Sequence, residues 1–168
     1  MPAQLIYNSA CPALDPADSV GDATRRMLAD RVTDLPVVDG EGRLVGMFKL
    51  DRLFASLLPK AALLGYGMPD LAFVSDSLGE LRAKMREVDD EKVGDFVVRP
   101  DHVVHPDTSP LEIVLLLYKG ANNIPVVARD SGRLVGMAGD REGRAVLHHA
   151  GRRGHGELAG GEQVAVER

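Results

Sequence analysis

Charged residues follow directly after two short apolar segments, and both segments end in Leu-Val-Gly-Met. After the first segment come Lys49, Asp51 and Arg52, and after the second come Gly139, Asp140, Arg141 and Glu142. Carboxylates accept hydrogen bonds from hydroxyl groups, and lysine and arginine donate to anions such as phosphate. A helix that began at either position would add the attraction of its N-terminus for phosphate. Side chains of these types can bind hydroxyl or anionic groups, and they are equally common as solvated residues at the start of a helix.

Other reactive side chains give no pattern typical of catalysis. The five histidines fall into two groups, near the C-terminus and around residue 103, without cysteine or acidic partners at zinc spacing. The single cysteine, Cys11, has no motif around it, and a thiol alone does not make a nucleophile. No segment resembles a catalytic triad or a phosphate-binding loop. The sequence therefore predicts a protein that is not an enzyme and that holds no metal.

The chain contains an internal repeat. Residues 35–47 read LPVVDGEGRLVGM, and residues 124–137 read IPVVARDSGRLVGM, with one extra residue in the second turn. A second match lies upstream, where ALDPADS at residues 13–19 corresponds to VVHPDTS at residues 103–109. An ordered repeat makes half of the chain the structural unit, and it places the expected function where the two halves meet.

Each repeat predicts a β-hairpin. The paired valines are β-branched, and turn residues follow them, so return strands are expected at residues 43–48 and 133–138. Pro36 and Pro125 should open their strands, where no donor for the sheet is required. Short extended pieces are expected at residues 5–7, 13–14 and 96–98.

Helices are predicted from caps and apolar spacing. One helix starts at Asp18 or Ser19 and ends near Asp30. In the second repeat, Ser109 with Glu112 forms a capping-box pattern, Pro110 suits the first helical position, and Gly120 fits the end of the helix. Amphipathic helices are also expected at residues 53–58 and 77–90.

These elements predict an α+β (α/β-like) fold with two βαββα-like repeats. The repeats span residues 3–58 and 95–148, and a helical connection of residues 59–94 joins them. Its apolar residues would pack on a dimer mate or form an exposed surface: Leu63, Leu64, Met68, Leu71 and Phe73. Residues 149–168 lack periodicity, so they are expected to be a disordered tail or a short partner-binding segment.

Composition limits the partners. The net charge of -5 argues against broad binding to nucleic acid, and a chain with 4% aromatic residues is a poor platform for stacking bases. No apolar run is long enough to span a membrane, and the N-terminus lacks the pattern of a signal peptide. A single cysteine makes no internal disulfide, so a cytoplasmic location is expected.

The ordered pair of Pro-Val-Val and Gly-Arg-Leu-Val-Gly motifs resembles the cystathionine beta-synthase (CBS) domain over about residues 3–148. CBS domains occur in tandem and pack as a pseudo-twofold pair, often called a Bateman module. The resemblance implies a standalone regulatory module that binds AMP, ADP, ATP or S-adenosylmethionine between its repeats and relays the ligand state to a protein partner. It also implies a disc-like homodimer and no required cofactor.

The family binds ribose through a motif of Gly, two apolar residues, Ser or Thr, two further residues and Asp. In the first repeat Lys49 stands at the hydroxyl position and Arg52 at the Asp position, while Asp51 comes one residue early, about 100° around a helix. In the second repeat Gly139 replaces the hydroxyl, and Glu142 keeps a carboxylate. Both copies therefore depart from the family pattern.

Two interpretations follow from these departures. In one, Glu142 binds ribose and Lys49, Arg52 or Arg141 binds phosphate. In the other, these residues are solvated helix starts, the clefts bind nothing, and the protein works as an interaction or dimerisation module. The resemblance also gives candidates for an adenine pocket, for which plain core packing is the alternative: Ala13, Leu14, Val37, Val38, Val103, Val104, Val126 and Val127.

Overall fold

The computed structural model describes residues 7–58, 63, 78–139 and 141–144. Its elements are α1 (Val20–Asp30), β1 (Asp34–Val38), β2 (Leu44–Lys49), α2 (Leu50–Leu57), α3 (Leu78–Asp89), a short 3-10 helix (Val93–Phe96), α4 (Pro110–Tyr118), β3 (Ile124–Val127) and β4 (Leu134–Ala138). Residues 141–144 add one helical turn. This mixture of helices with two small antiparallel sheets confirms the predicted fold class.

The two hairpins are built alike. Strand β1 pairs with β2 and β3 with β4, and each pair has a register shift at its second valine, Val38 or Val127. Gly42 and Gly132 have φ of 79° and 68° near the turns, a left-handed backbone that glycine adopts without strain. The predicted hairpins at both positions are confirmed.

The prolines do not open their strands as predicted. Pro36 is the third residue of β1 and Pro125 the second of β3. Pro36 lies opposite Met47, but the N–H of Met47 donates to the carbonyl oxygen of Val98 at 2.8 Å. The pair Pro36–Met47 is therefore a non-hydrogen-bonded position of the hairpin, where a missing proline N–H costs nothing.

Short extended segments complete each sheet, and two of them are exchanged between the repeats. Leu14 lies parallel to β1 and Val104 parallel to β3, each within its own repeat. Val98, near the start of the second repeat, pairs with Met47 of the first. Asn8, at the start of the chain, pairs with Met137 of the second repeat. Each sheet therefore pairs with a segment from the start of the other repeat.

Helix α1 follows the prediction, whereas the cap of α4 does not. The hydroxyl of Ser19 accepts a hydrogen bond from the N–H of Asp22 at 3.1 Å, and α1 ends at Asp30. Pro110 is the first residue of α4 as predicted, but Ser109 makes no side-chain capping hydrogen bond, so the expected capping box is absent. Ser109 is exposed, so water can hydrate both its hydroxyl and the free N–H groups of the first turn.

Two clusters of buried residues form the core. The first cluster surrounds Phe48, which contacts Phe96 edge to face with ring centroids 6.4 Å apart. The second cluster contains Val104, Ile113, Ile124, Val126 and Ala138. Phe96 belongs to the 3-10 helix and not to the strand predicted there, because the segment around Val93 first packs on the first repeat.

Several predictions fall on residues outside the described ranges. These are the strand at residues 5–6, the first residue of the helix predicted at 77–90, half of the connection with Leu64, Met68, Leu71 and Phe73, and the tail at 149–168. Of the predicted apolar surface, Leu63 is described, and its side chain is 49% exposed.

Candidate ligand-binding cleft

A cavity of about 460 Å³ lies between the two repeats. The first repeat contributes the loop before β1, the end of β2 and the start of α2. The second repeat contributes the segment before Val103 and the loop between α4 and β3. Its lining residues are Thr33, Asp34, Met47, Lys49, Asp51, Pro100, Asp101, His102, Lys119, Gly120, Ala121, Asn122, Asn123, Ile124 and Pro125.

The hairpin of the first repeat places two charged residues on one wall of this cavity. Asp34 and Lys49 are direct partners in the antiparallel pair, so their side chains lie on the same face of the sheet. Strand β2 runs straight into α2, and Lys49 is therefore the residue that precedes the helix, with Asp51 in its first turn. The N–H of Leu50 donates to the carbonyl oxygen of Thr33 at 2.9 Å, which fixes the helix start against the loop.

An ion pair crosses the cavity from one repeat to the other. The Lys49 ammonium lies 3.0 Å from a carboxylate oxygen of Asp101, and the Lys49 side chain is only 23% exposed. The hydrogen bond from Lys49 and its positive charge hold the pKa of Asp101 below the ordinary value, with smaller contributions from the charges of His102 and Arg52. Asp101 therefore stays ionised near neutral pH.

A hydrogen bond between corresponding residues also joins the repeats. Asn123 stands in the second repeat where Asp34 stands in the first, and its amide donates to the Asp34 carboxylate at 2.8 Å. The Thr33 hydroxyl donates to the same carboxylate oxygen at 2.6 Å. Asn123 has a left-handed φ of 51°, which asparagine tolerates better than most residues. The carboxylate of Asp34 is thus shared between the two halves of the chain.

The structure separates the polar residues that the sequence singled out. Lys49 and Asp51 line the cavity, whereas Arg52 is exposed and does not line it, although its charge contributes to lowering the pKa of Asp101. The Glu142 carboxylate accepts a hydrogen bond from the N–H of Gly139 at 3.1 Å, so it closes the turn that leads into its own helix. Arg141 is exposed, and Asp140 lies outside the described residues.

The apolar candidates lie mainly in the core. Leu14, Val37, Val104 and Val126 are at most 2% exposed, and Val127 is buried as well. The remaining three are more accessible: Ala13 and Val38 are half-buried, and Val103 is exposed. None of these eight residues is among those that line the cavity between the repeats.

Sequence reasoning missed Asp34, Asp101 and Asn123. A signal existed for two of them, because a polar residue precedes Leu-Pro in the first repeat and Ile-Pro in the second. Asp101 had no local signal, since it meets Lys49 only through the packing of the repeats.

The lining side chains offer carboxylates and ammonium groups, which suit the binding of a ligand with hydroxyl and anionic groups. Within residues 7–58, 63, 78–139 and 141–144, no three His, Cys, Asp or Glu side chains are arranged to hold a metal ion. None of the helices in these ranges has the length and apolarity needed to cross a bilayer.

Comparison with known proteins identifies the family. The pattern of the CBS domain matches residues 6–58 and 93–146, together well over half of the chain. The chain belongs to the CBS domain family. It carries two copies, as the sequence resemblance implied, and no curated protein matches it significantly.

Solved structures show the same CBS-pair fold. The CBS-pair protein CBSX2 from Arabidopsis thaliana is 23% identical, with a TM-score of 0.67 over 89% of this chain and 95% of that one. CBSX2 in complex with AMP is 26% identical, with a TM-score of 0.60 over 88% and 96% of the two chains. A CBS domain-containing protein from Kribbella flavida is 17% identical, with a TM-score of 0.67 over 88% and 99%.

Proposed function

We propose that this CBS pair is a non-catalytic regulatory module that binds an adenosine-containing ligand, such as AMP, ADP, ATP or S-adenosylmethionine, in the cavity between its repeats. The observation that carries the proposal is the cavity itself, which has charged groups at the start of α2 and walls from both repeats. Its volume of about 460 Å³ falls within the range of small-molecule sites. The complex of CBSX2 with AMP supports the choice of ligand class.

The lining residues suggest how such a ligand would lie. The Asp51 carboxylate, in the first turn of α2, is exposed and can accept hydrogen bonds from a ribose diol. The ammonium groups of Lys49 and Lys119 and the N-terminus of α2 favour a phosphate group. The Glu142 carboxylate already accepts a hydrogen bond from the N–H of Gly139. We therefore assign ribose binding to Asp51 and not to Glu142.

The contacts at the cavity walls would also relay the presence of the ligand to a partner protein. The hydrogen bond between Asp34 and Asn123 and the ion pair between Lys49 and Asp101 both join the repeats at the cavity. A ligand that prefers one packing of the repeats shifts the population toward it in proportion to its difference in affinity. The partner would be a cytoplasmic protein that recognises one of the two packings.

Binding tests this proposal directly. Isothermal titration with AMP, ADP, ATP and S-adenosylmethionine should give saturable binding for at least one ligand, with a higher melting temperature through mass action. Asp51→Asn should weaken that binding about tenfold, since a charged hydrogen-bond acceptor to the ligand is lost. Asp90→Asn is the matched control, because Asp90 is exposed and does not line the cavity. No binding at millimolar concentrations of all four ligands would contradict the proposal.

A second candidate function is dimerisation or protein interaction, and the surface of α4 favours it. Leu111, Leu115 and Tyr118 are 77%, 48% and 86% exposed, and their spacing places them on one face of the helix. Light scattering after size exclusion should give a homodimer for the native chain. Leu115→Asp should convert it to a monomer, whereas Lys119→Asp, next to this face, should not. A native chain that elutes as a monomer at all concentrations would contradict this function.

A further inference from the structure

The Lys49 ammonium, which a ligand phosphate would bind, already forms an ion pair with Asp101. Both residues line the cavity, and the ammonium to carboxylate distance is 3.0 Å. Lys49 is the residue that leads into α2, where the helix N-terminus favours an anion. The ammonium group that directly precedes this N-terminus is therefore already paired with a carboxylate of the protein itself.

The ion pair has no counterpart at the corresponding pair of positions. In the aligned repeats Gly139 corresponds to Lys49, and Cys11 corresponds to Asp101. The equivalent pair of positions, Gly139 in the second repeat and Cys11 in the first, therefore carries neither charge. Since the rest of the hairpins match closely, the ion pair is a specific feature of the cavity between the repeats and not a consequence of the fold.

The exposure of the two partners shows which one can leave. The Asp101 side chain is 80% exposed, while that of Lys49 is 23% exposed. An exposed carboxylate is well hydrated whether it is paired or not, so breaking such a pair costs little. Lys49 would be costly to leave unpaired, and a phosphate dianion is a stronger acceptor than a single carboxylate. A phosphate can therefore take the place of Asp101 on Lys49.

We propose that Asp101 is a specificity-determining residue whose carboxylate competes with ligand phosphate for the Lys49 ammonium. The inference rests on the proposed function and adds a rule for the ligand. A nucleoside enters the cavity without disturbing the pair, whereas a nucleotide must displace Asp101. The ion pair is one of the contacts that join the repeats, so phosphate binding also releases one of the links between them.

Isothermal titration of three probes into four proteins tests this rule. The probes are adenosine, AMP and inorganic pyrophosphate, and the proteins are the native chain, Asp101→Asn, Lys49→Gln and the double variant. Asp101→Asn should strengthen AMP and pyrophosphate binding about fivefold and leave adenosine within about twofold. In the Lys49→Gln background, the substitution Asp101→Asn should not change the affinity for AMP or pyrophosphate.

Asp107→Asn provides the matched control. Asp107 is exposed and pairs with Arg129 at 3.0 Å, but neither residue lines the cavity. Its removal changes the net charge of the protein by the same amount, so it should leave all three affinities within about twofold. Melting temperatures of all variants confirm that they fold.

The outcomes separate the rule from the proposed function. Suppose that adenosine binds, but that Asp101→Asn leaves the affinities for AMP and pyrophosphate unchanged or raises the affinity for adenosine by the same factor. The competition rule is then overturned and the proposed function stands. If adenosine and AMP bind no variant, but pyrophosphate binds Asp101→Asn more tightly through Lys49, the function fails and the competition stands. If no probe binds any variant, both are overturned.

Discussion

Gly46→Ala tests the pairing of residues 97–98, in the second repeat, with strand β2 of the first. A β-carbon at position 46 would collide with Cγ1 of Val97 and would lie 2.6 Å from the carbonyl oxygen of Val98. That oxygen accepts the N–H of Met47 at 2.8 Å, and the N–H of Val98 donates back to Met47 at 2.9 Å. The added methyl group therefore pushes against the backbone of residues 97–98, the segment of the second repeat that pairs with the first sheet.

The magnitude follows from two contributions. An extra carbon in a packed site costs about 1–3 kcal/mol, and weakening the two hydrogen bonds with Val98 costs about 1 kcal/mol each. Since the overpacking is partly relieved when these bonds lengthen, we expect a loss of about 3 kcal/mol in the free energy of unfolding. For a protein of this size the melting temperature should fall by about 6–12 °C.

Urea unfolding followed by circular dichroism measures this difference, and Gly40→Ala is the matched control. Gly40 lies in the same hairpin, its backbone is not left-handed, and a β-carbon there would meet no atom within 4 Å. The control should be neutral or slightly stabilising, because alanine restricts the unfolded chain. If the two variants differ by less than about 0.5 kcal/mol, the close approach of residues 97–98 to β2 does not exist in solution.

Three further predictions concern charge and surface. Hydrogen bonds from the backbone N–H and side chain of Arg43 hold the pKa of Asp39 below its ordinary 3.8, so Asp39 stabilises the fold above that pH. Asp39→Asn should be less stable than the native chain at pH 7, and urea titrations should show the gap closing as pH falls below 3.8. Asn123→Asp places a carboxylate against Asp34, so its melting temperature should drop at pH 7 and recover near about pH 4, while Asn123→Ser shows no such recovery. Tyr118→Ser should weaken a dimer through α4 without lowering the melting temperature of the monomer, because its side chain is 86% exposed.

Local patterns in the sequence were enough to predict the hairpins and α1. The residues that form these elements are close in sequence, and their turn and cap residues act through the nearest backbone groups. Ser19 is an example, since its hydroxyl needs only the N–H three residues later. The same reasoning failed at Ser109, where an exposed hydroxyl beside Pro110 had no need to bond the helix.

The cavity could be predicted only in part. Lys49 and Asp51 follow from the position where β2 ends and α2 begins, which the repeat alignment shows. Asp101 lies 52 residues from Lys49, and Asn123 lies 89 residues from Asp34. These contacts depend on how the two repeats pack, and no local combination of residue types indicates them. Glu142 shows the reverse case, since its carboxylate stands at the Asp position of the family pattern but accepts a hydrogen bond from the nearby N–H of Gly139.

The exchanged segments decide what one repeat could do alone. A fragment ending at Leu58 would keep Asn8 without Met137, and its β2 would have an open edge at Met47. Two such fragments could complete each other's sheets only by associating, and that association would weaken on dilution. In the intact chain the connection holds the halves at an effective concentration in the millimolar range. A cell with only a few copies of this protein therefore has the same fraction of complete clefts as a cell with many.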